Sequence, residues 1–197
     1  MQDKPQAIGQ ESLRRGIVIE RREHLSCDDA HSLVAVAVLP GAAEMDPDSE
    51  WKELARGERD GAAWVQFHAG TLALDLFRKE TEGYKVNLSQ VPPRVFIVLR
   101  DGMDAASRHD VLPVAATVCP YEAQDYLDSG TDIVEVVAMP PGLAAFVQDY
   151  VDRHHHDEPF KKRKRRPHVA EKAVFVEQGA PPVDRRRGKT RIGARRP

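Results

Sequence analysis

The stretch Cys119–His156, CPYEAQDYLDSGTDIVEVVAMPPGLAAFVQDYVDRHHH, decides the architecture, since each of its joints has a physical reason. Pro120 suits the first turn of a helix, where a missing N–H leaves no intrahelical bond unmade. Glu122 follows in that turn, favourable against the positive end of the helix dipole. Gly130 supplies a left-handed stop after Ser129. Ile133 to Val137 is β-branched apart from Glu135 and reads as a strand. Met139-Pro140-Pro141-Gly142 breaks that strand and opens a second helix. Along it Leu143, Phe146, Val147, Tyr150, Val151 and His154 recur at helical spacing, which predicts one buried stripe.

Upstream the chain reads as β scaffold. Gly16 to Arg22 (GIVIERR) and Leu33 to Leu39 (LVAVAVL) predict strands, the second stopped by Pro40-Gly41. The acidic segment 42–61 predicts an irregular loop with a helical turn near Trp51 to Ala55. Ala63 to His68 and Thr71 to Phe77 read as a hairpin turning at Ala69-Gly70. Tyr84 to Leu88 predicts a short strand. The continuous apolar run in RVFIVLR, Arg94 to Arg100, predicts a central strand covered on both faces. Val111 to Val118 follows, with Pro113 marking an edge or a bulge. The expected class is α+β: a mainly antiparallel curved sheet or partly open barrel, packed by the C-terminal amphipathic helix and followed by a basic tail.

The expected domain spans residues 16–156, with residues 1–15 as a flexible leader and 157–197 as a largely disordered tail. Whole-chain charge is −2, from 29 basic and 31 acidic residues. From Asp152 onward there are 15 basic and 6 acidic residues, leaving 14 and 25 before it, so an acidic body precedes a basic end. The mean hydropathy is −0.50. No apolar run approaches the roughly 18 residues of a membrane span, and the first residues lack the apolar core of a secretory signal. These features predict a cytoplasmic protein without membrane contact. Cys27 and Cys119 lack CxxC spacing and read as ordinary thiols.

Catalytic motifs are absent from the sequence: there is no GxSxG, Walker loop, GxGxxG or HExxH. Glu80 and Glu82 form a carboxylate pair without an environment that would split their pKa values. His154, His155 and His156 point about 100° apart on a helix and do not converge on one ion, so they read as a solvated helix end. No catalytic residue, metal ligand or cofactor is expected. A mixture of polar and aromatic groups points instead to recognition: Tyr121, Glu122, Asp125 and Tyr126 on the first helix, with Glu80, Glu82, Tyr84 and Asn87 in the preceding loop. The alternative for Tyr121 and Tyr126 is burial in the core with their hydroxyls satisfied. The run Lys161, Lys162, Arg163, Lys164, Arg165 and Arg166 would steer or anchor a complex, or bind nucleic acid through phosphates.

The segments LFRKETEGYKVNL, PPRVFIVLR, CPYEAQDYLDSGTDIVEVVAMPP and HHHDEPFKKRKRR, in that order, resemble a bacterial family of unknown function. Its members are small cytoplasmic proteins typically encoded beside molybdenum-dependent formate dehydrogenases and their maturation factors. The resemblance covers approximately residues 16–166 and is most specific at PYEAQDYLDSG. It implies an accessory protein that binds a formate dehydrogenase subunit or maturation factor. Some members carry a label for molybdopterin guanine dinucleotide synthesis. That activity needs a Gly-rich loop after the first strand, where this chain has Glu20-Arg21-Arg22-Glu23. A nucleic-acid-binding protein acting through its tail, and a carrier or enzyme acting on the molybdenum cofactor, are the alternative expectations.

Overall fold

A computed structural model describes residues 10–23, 31–102 and 107–156. Cys27, the basic run 161–166 and the whole expected tail lie outside the described residues. Four strands, β1 (Gln10–Glu23), β2 (His31–Pro40), β3 (Lys52–Arg59) and β4 (Ala62–Phe77), form an antiparallel sheet in the order β2-β1-β4-β3. β1 therefore starts within the stretch read as a leader. The expected loop over 42–61 contains β3, an edge strand exposed along its whole length. Its apolar content is too low to signal a strand, and its main chain is held by β4 instead.

The hairpin turn is also elsewhere. Asp60 and Gly61 both have positive φ, 54° and 81°, and join β3 to β4 as a two-residue connection. Ala69-Gly70 is not a turn but a bulge within one continuous strand. Gly16 pairs with Thr71 and Val18 with His68, leaving Ala69 and Gly70 opposite Ile17 alone. Gly70 has φ 139°, and a Cβ there would stand 2.7 Å from the Pro47 Cα. The loop before β3 is thus pressed onto the bulge, where Thr71 donates its amide to the Met45 carbonyl at 2.8 Å and its hydroxyl to the Ala43 carbonyl at 2.6 Å.

A second antiparallel sheet contains β5 (Arg94–Asp101), β6 (Val111–Thr117) and β7 (Asp132–Ala138) in the order β6-β5-β7. Pro113 lies on edge strand β6 beside a bulge between Val98 and Leu99, as its missing N–H requires. β4 approaches β6 and β2 approaches β7 without a shared ladder, so no closed barrel forms among the described residues. The helices are α1 (Thr81–Leu88), preceded by a 3-10 turn over Arg78–Glu80, then α2 (Pro120–Ser129) and α3 (Pro141–His154). Gly130 ends α2 with φ 69°, as the sequence predicts. No helix among the described residues is long and apolar enough to cross a membrane.

α1 replaces the short strand expected over Tyr84 to Leu88. The buried set in this element is Thr81, Gly83, Tyr84 and Asn87, a helical spacing that carries two polar residues inward. Val86 stays 38% exposed. The expectation fails here because the burial is partly polar.

The core lies between the sheets, with Ile17, Ile19, Leu74 and Leu76 facing Val95, Ile97 and Leu99. α3 closes it with Leu143, Val147, Tyr150 and Val151, each burial contributing about 1.5–3 kcal/mol relative to exposure. Val98 is buried on the opposite face of β5, where α2 packs. RVFIVLR is accordingly covered on both sides.

Glu20 is a buried carboxylate on the first sheet, 1% exposed. It accepts hydrogen bonds from Arg22 Nε at 2.5 Å and Gln66 Nε2 at 2.7 Å, with Arg59 at 3.6 Å. Burial pushes its carboxyl up, but the bonds from Gln66 and Arg22 and the two guanidinium charges outweigh this and hold it below the usual range. A lowered folded-state value stabilises above the unfolded value of 4.5 and is lost as pH falls through the folded one. Urea unfolding from pH 7 to pH 3 should therefore show stability declining below about pH 4.5. Glu20→Gln should reduce that slope and cost about 1–2 kcal/mol at pH 7. Glu11, held low chiefly by its hydrogen bond from Arg153, contributes in the same direction.

Candidate functional site

α1 and α2 meet at a corner built around a glycine. A Cβ on Gly83 would lie 2.7 Å from Cys119 Sγ and 3.1 Å from the Tyr121 ring. Gly83 is helical; its missing side chain lets the start of α2 rest on α1. Burial pushes the Cys119 thiol up, although the amides of Glu122 and Tyr121 partly oppose this. The thiol is 1% exposed and serves as packing.

Asn87 ties the corner to the second sheet. Its Nδ2 donates to the carbonyls of Arg94 and Val118, both at 2.7 Å, and its Oδ1 accepts from the Arg94 amide at 2.9 Å. One side-chain amide thus takes the place of a neighbouring strand at the start of β5 and the end of β6. Tyr84 ties it to the first sheet. Its hydroxyl donates to Glu80 Oε2 and accepts from the Phe77 amide, both at 3.0 Å. Burial drives the Tyr84 phenol far above its ordinary value. Both residues were expected at a contact surface and both are buried, Tyr84 at 0% and Asn87 at 3% exposure. They are the frame of the corner and do not reach its surface.

The remaining expected residues divide between an exposed face and a groove. Tyr121 is 55% exposed, with its ring beside Gly83. Asp125 is exposed on α2, and Glu82 is exposed on α1 with its carboxylate 3.6 Å from His155 Nε2. Glu122 and Tyr126 are half-buried and line a groove of about 320 Å³ with Leu72, Asp75, Phe77 and Val114. Burial pushes the Tyr126 phenol up, and the Glu122 and Asp132 carboxylates add to the shift. Glu80 is occupied by Tyr84 and lies 3.6 Å from Lys79 Nζ.

Of the three histidines read as a solvated helix end, His156 is exposed, whereas His154 and His155 are not. His154 and His155 have side chains only 15% and 13% exposed. Arg78 Nε donates to His154 Nδ1 at 3.2 Å, and Lys85 Nζ donates to His155 Nε2 at 3.0 Å. His155 Nδ1 meets Thr81 Oγ1 at 3.0 Å, so the end of α3 is docked on α1. Among the described residues no three His, Cys, Asp or Glu side chains are grouped to hold a metal ion.

A second concavity was not legible in the sequence. It is lined by Arg21, Leu33, Trp51, Phe67, Arg108 and His109 among others, which come from separate segments. No motif joins them, and only folding brings them together.

The corner generates a paired prediction. Gly83→Ala should push α2 away from α1 and cost about 1–3 kcal/mol. Gly142→Ala, where a Cβ meets nothing within 4 Å, should leave stability unchanged or raise it by about 0.4–1 kcal/mol. Denaturant midpoints of the two variants check this.

No curated protein and no solved structure matches the chain. A family model does match it, over residues 14–164, and the chain belongs to DUF3305, a family described as protein of unknown function.

Proposed function

We propose that this domain is a docking module without a catalytic step of its own, which binds a protein partner through the α1–α2 corner. The half-exposed Tyr121 ring, seated on a rigid corner among Glu82, Glu122 and Asp125, carries the reading. An aromatic anchor within a polar rim is the arrangement that concentrates binding energy in protein interfaces. α2 has acidic Glu122, Asp125 and Asp128 and no Lys or Arg, so the complementary surface is basic. The resemblance to a family encoded beside formate dehydrogenase genes supplies the setting: a subunit or maturation factor of a molybdenum-dependent formate dehydrogenase.

Affinity capture from the native host, read by mass spectrometry, tests the proposal. Full-length protein and a truncation ending at His156 should both retain formate dehydrogenase subunits or maturation factors. Tyr121→Ala should reduce that recovery about tenfold or more without lowering the unfolding temperature. Recovery that instead follows the tail, with nucleic acid co-purifying, would sink the proposal and move the function to the basic run.

A further inference from the structure

β5 leads from Arg94, beside Asn87, to Asp101, a run of about 23 Å at strand spacing. The second concavity lies towards that distant end, between the loop before β3 and residues 107–110. It has a volume of about 270 Å³. Its wall is rigid. Trp51 stacks on His109 with ring centroids 4.1 Å apart and planes 17° from parallel, and Phe67 stands 6.1 Å from Trp51. Trp51 Nε1 donates to the Pro47 carbonyl at 3.0 Å, and His109 Nε2 donates to the Ser49 carbonyl at 2.7 Å. Asp48 Oδ1 accepts from the Ser107 hydroxyl at 2.6 Å and from the Arg108 amide at 3.2 Å. These bonds staple the two loops together and hold the aromatic surfaces in place.

The charges around the wall are unevenly committed. His31 and Asp110 pair with each other at 3.1 Å. Arg21 lies over the Phe67 ring, 5.7 Å from its centroid. Among the described residues, neither Arg21 nor Arg108 forms an ion pair within 4.0 Å. Of the lining carboxylates, Asp110 pairs with His31; just outside the lining, Glu53 and Asp48 lie near enough to Arg21 and Arg108, respectively, for the guanidinium charges to help hold their carboxyls low. Apolar and aromatic walls with a few convergent polar groups are the usual make-up of a small-molecule site. A guanidinium matches carboxylate and phosphate oxygens with two parallel donors. The volume admits one ring system and one anionic group, and is too small for a dinucleotide.

We infer that this pocket binds a small planar aromatic anion, with its ring against Trp51 and Phe67 and its carboxylate or phosphate held by Arg21 and Arg108. The site is separate from the α1–α2 corner and does not depend on the docking role.

The chain has two tryptophans, so full-length Trp64→Phe leaves Trp51 as the sole indole reporter. Its fluorescence is titrated with adenosine monophosphate and with 4-hydroxybenzoate, each beside its neutral counterpart, adenosine and 4-hydroxybenzamide. At least one anion should give saturable quenching, and its counterpart should bind about tenfold more weakly or worse. The probe that succeeds identifies phosphate or carboxylate as the recognised group. Adding Arg21→Gln and Arg108→Gln should weaken that anion about tenfold while leaving the unfolding midpoint in place. The inference is overturned by no saturable change with either anion up to about 5 mM, by equal binding of the neutral counterpart, or by unchanged affinity in the double arginine variant.

Discussion

The side-chain amide of Asn87 is the interaction on which the rest of the structure leans. It satisfies three main-chain groups, from Arg94 and Val118, where β5 begins and β6 ends. A buried main-chain polar group left unpaired costs about 1–3 kcal/mol, so replacing Asn87 would leave several such costs at one point. α1 positions this amide, and every other layer reaches α1. The first sheet arrives through the Phe77 amide on Tyr84, α2 through the bare face of Gly83, and α3 through His155 on Thr81 and the Tyr150 ring against Tyr84. A helix of eight residues with low apolar content is thus the meeting point of both sheets.

This arrangement separates frame from surface within one short stretch. Tyr84 and Asn87 are spent inside, while Glu82 on the same helix and Tyr121, packed against it from α2, remain outside. The exposed tyrosine stands on a helix start that cannot shift without opening the Gly83 contact. Such preorganisation lowers the ordering cost of binding.

The two concave regions differ in chemistry because different elements build them. The groove by Tyr126 lies where β4 and β6 approach without pairing, and its polar rim comes from α2 and Asp75. The Trp51 pocket lies where two loops are stapled by Asp48, and its lining sets Arg21 and Arg108 beside Glu50 and Asp110 around an aromatic wall. One chain thus presents an acidic surface and an aromatic pocket containing two arginines towards opposite ends of β5.

The sequence by itself determined the elements whose burial is apolar and periodic. These are β1, β2, β5, β7 and α3, together with α2, marked at its ends by Pro120 and Gly130. It also marked Pro113 as an edge or bulge residue and placed Tyr121 and Asp125 on a helix, and the fold decided that both are exposed. The hairpin turns at Asp60-Gly61, inside the segment read as a loop, and not at Ala69-Gly70. Only the tertiary structure decided that residues 81–88 are helical, that β4 runs unbroken through a bulge, and that Tyr84 and Asn87 turn inward. It alone assembled Trp51, His109, Arg21 and Arg108 into a pocket. The physical reason is common to all of these. Periodicity reports apolar burial along one segment, whereas a buried amide, a close-contact glycine or a shared pocket depends on groups that distant segments supply.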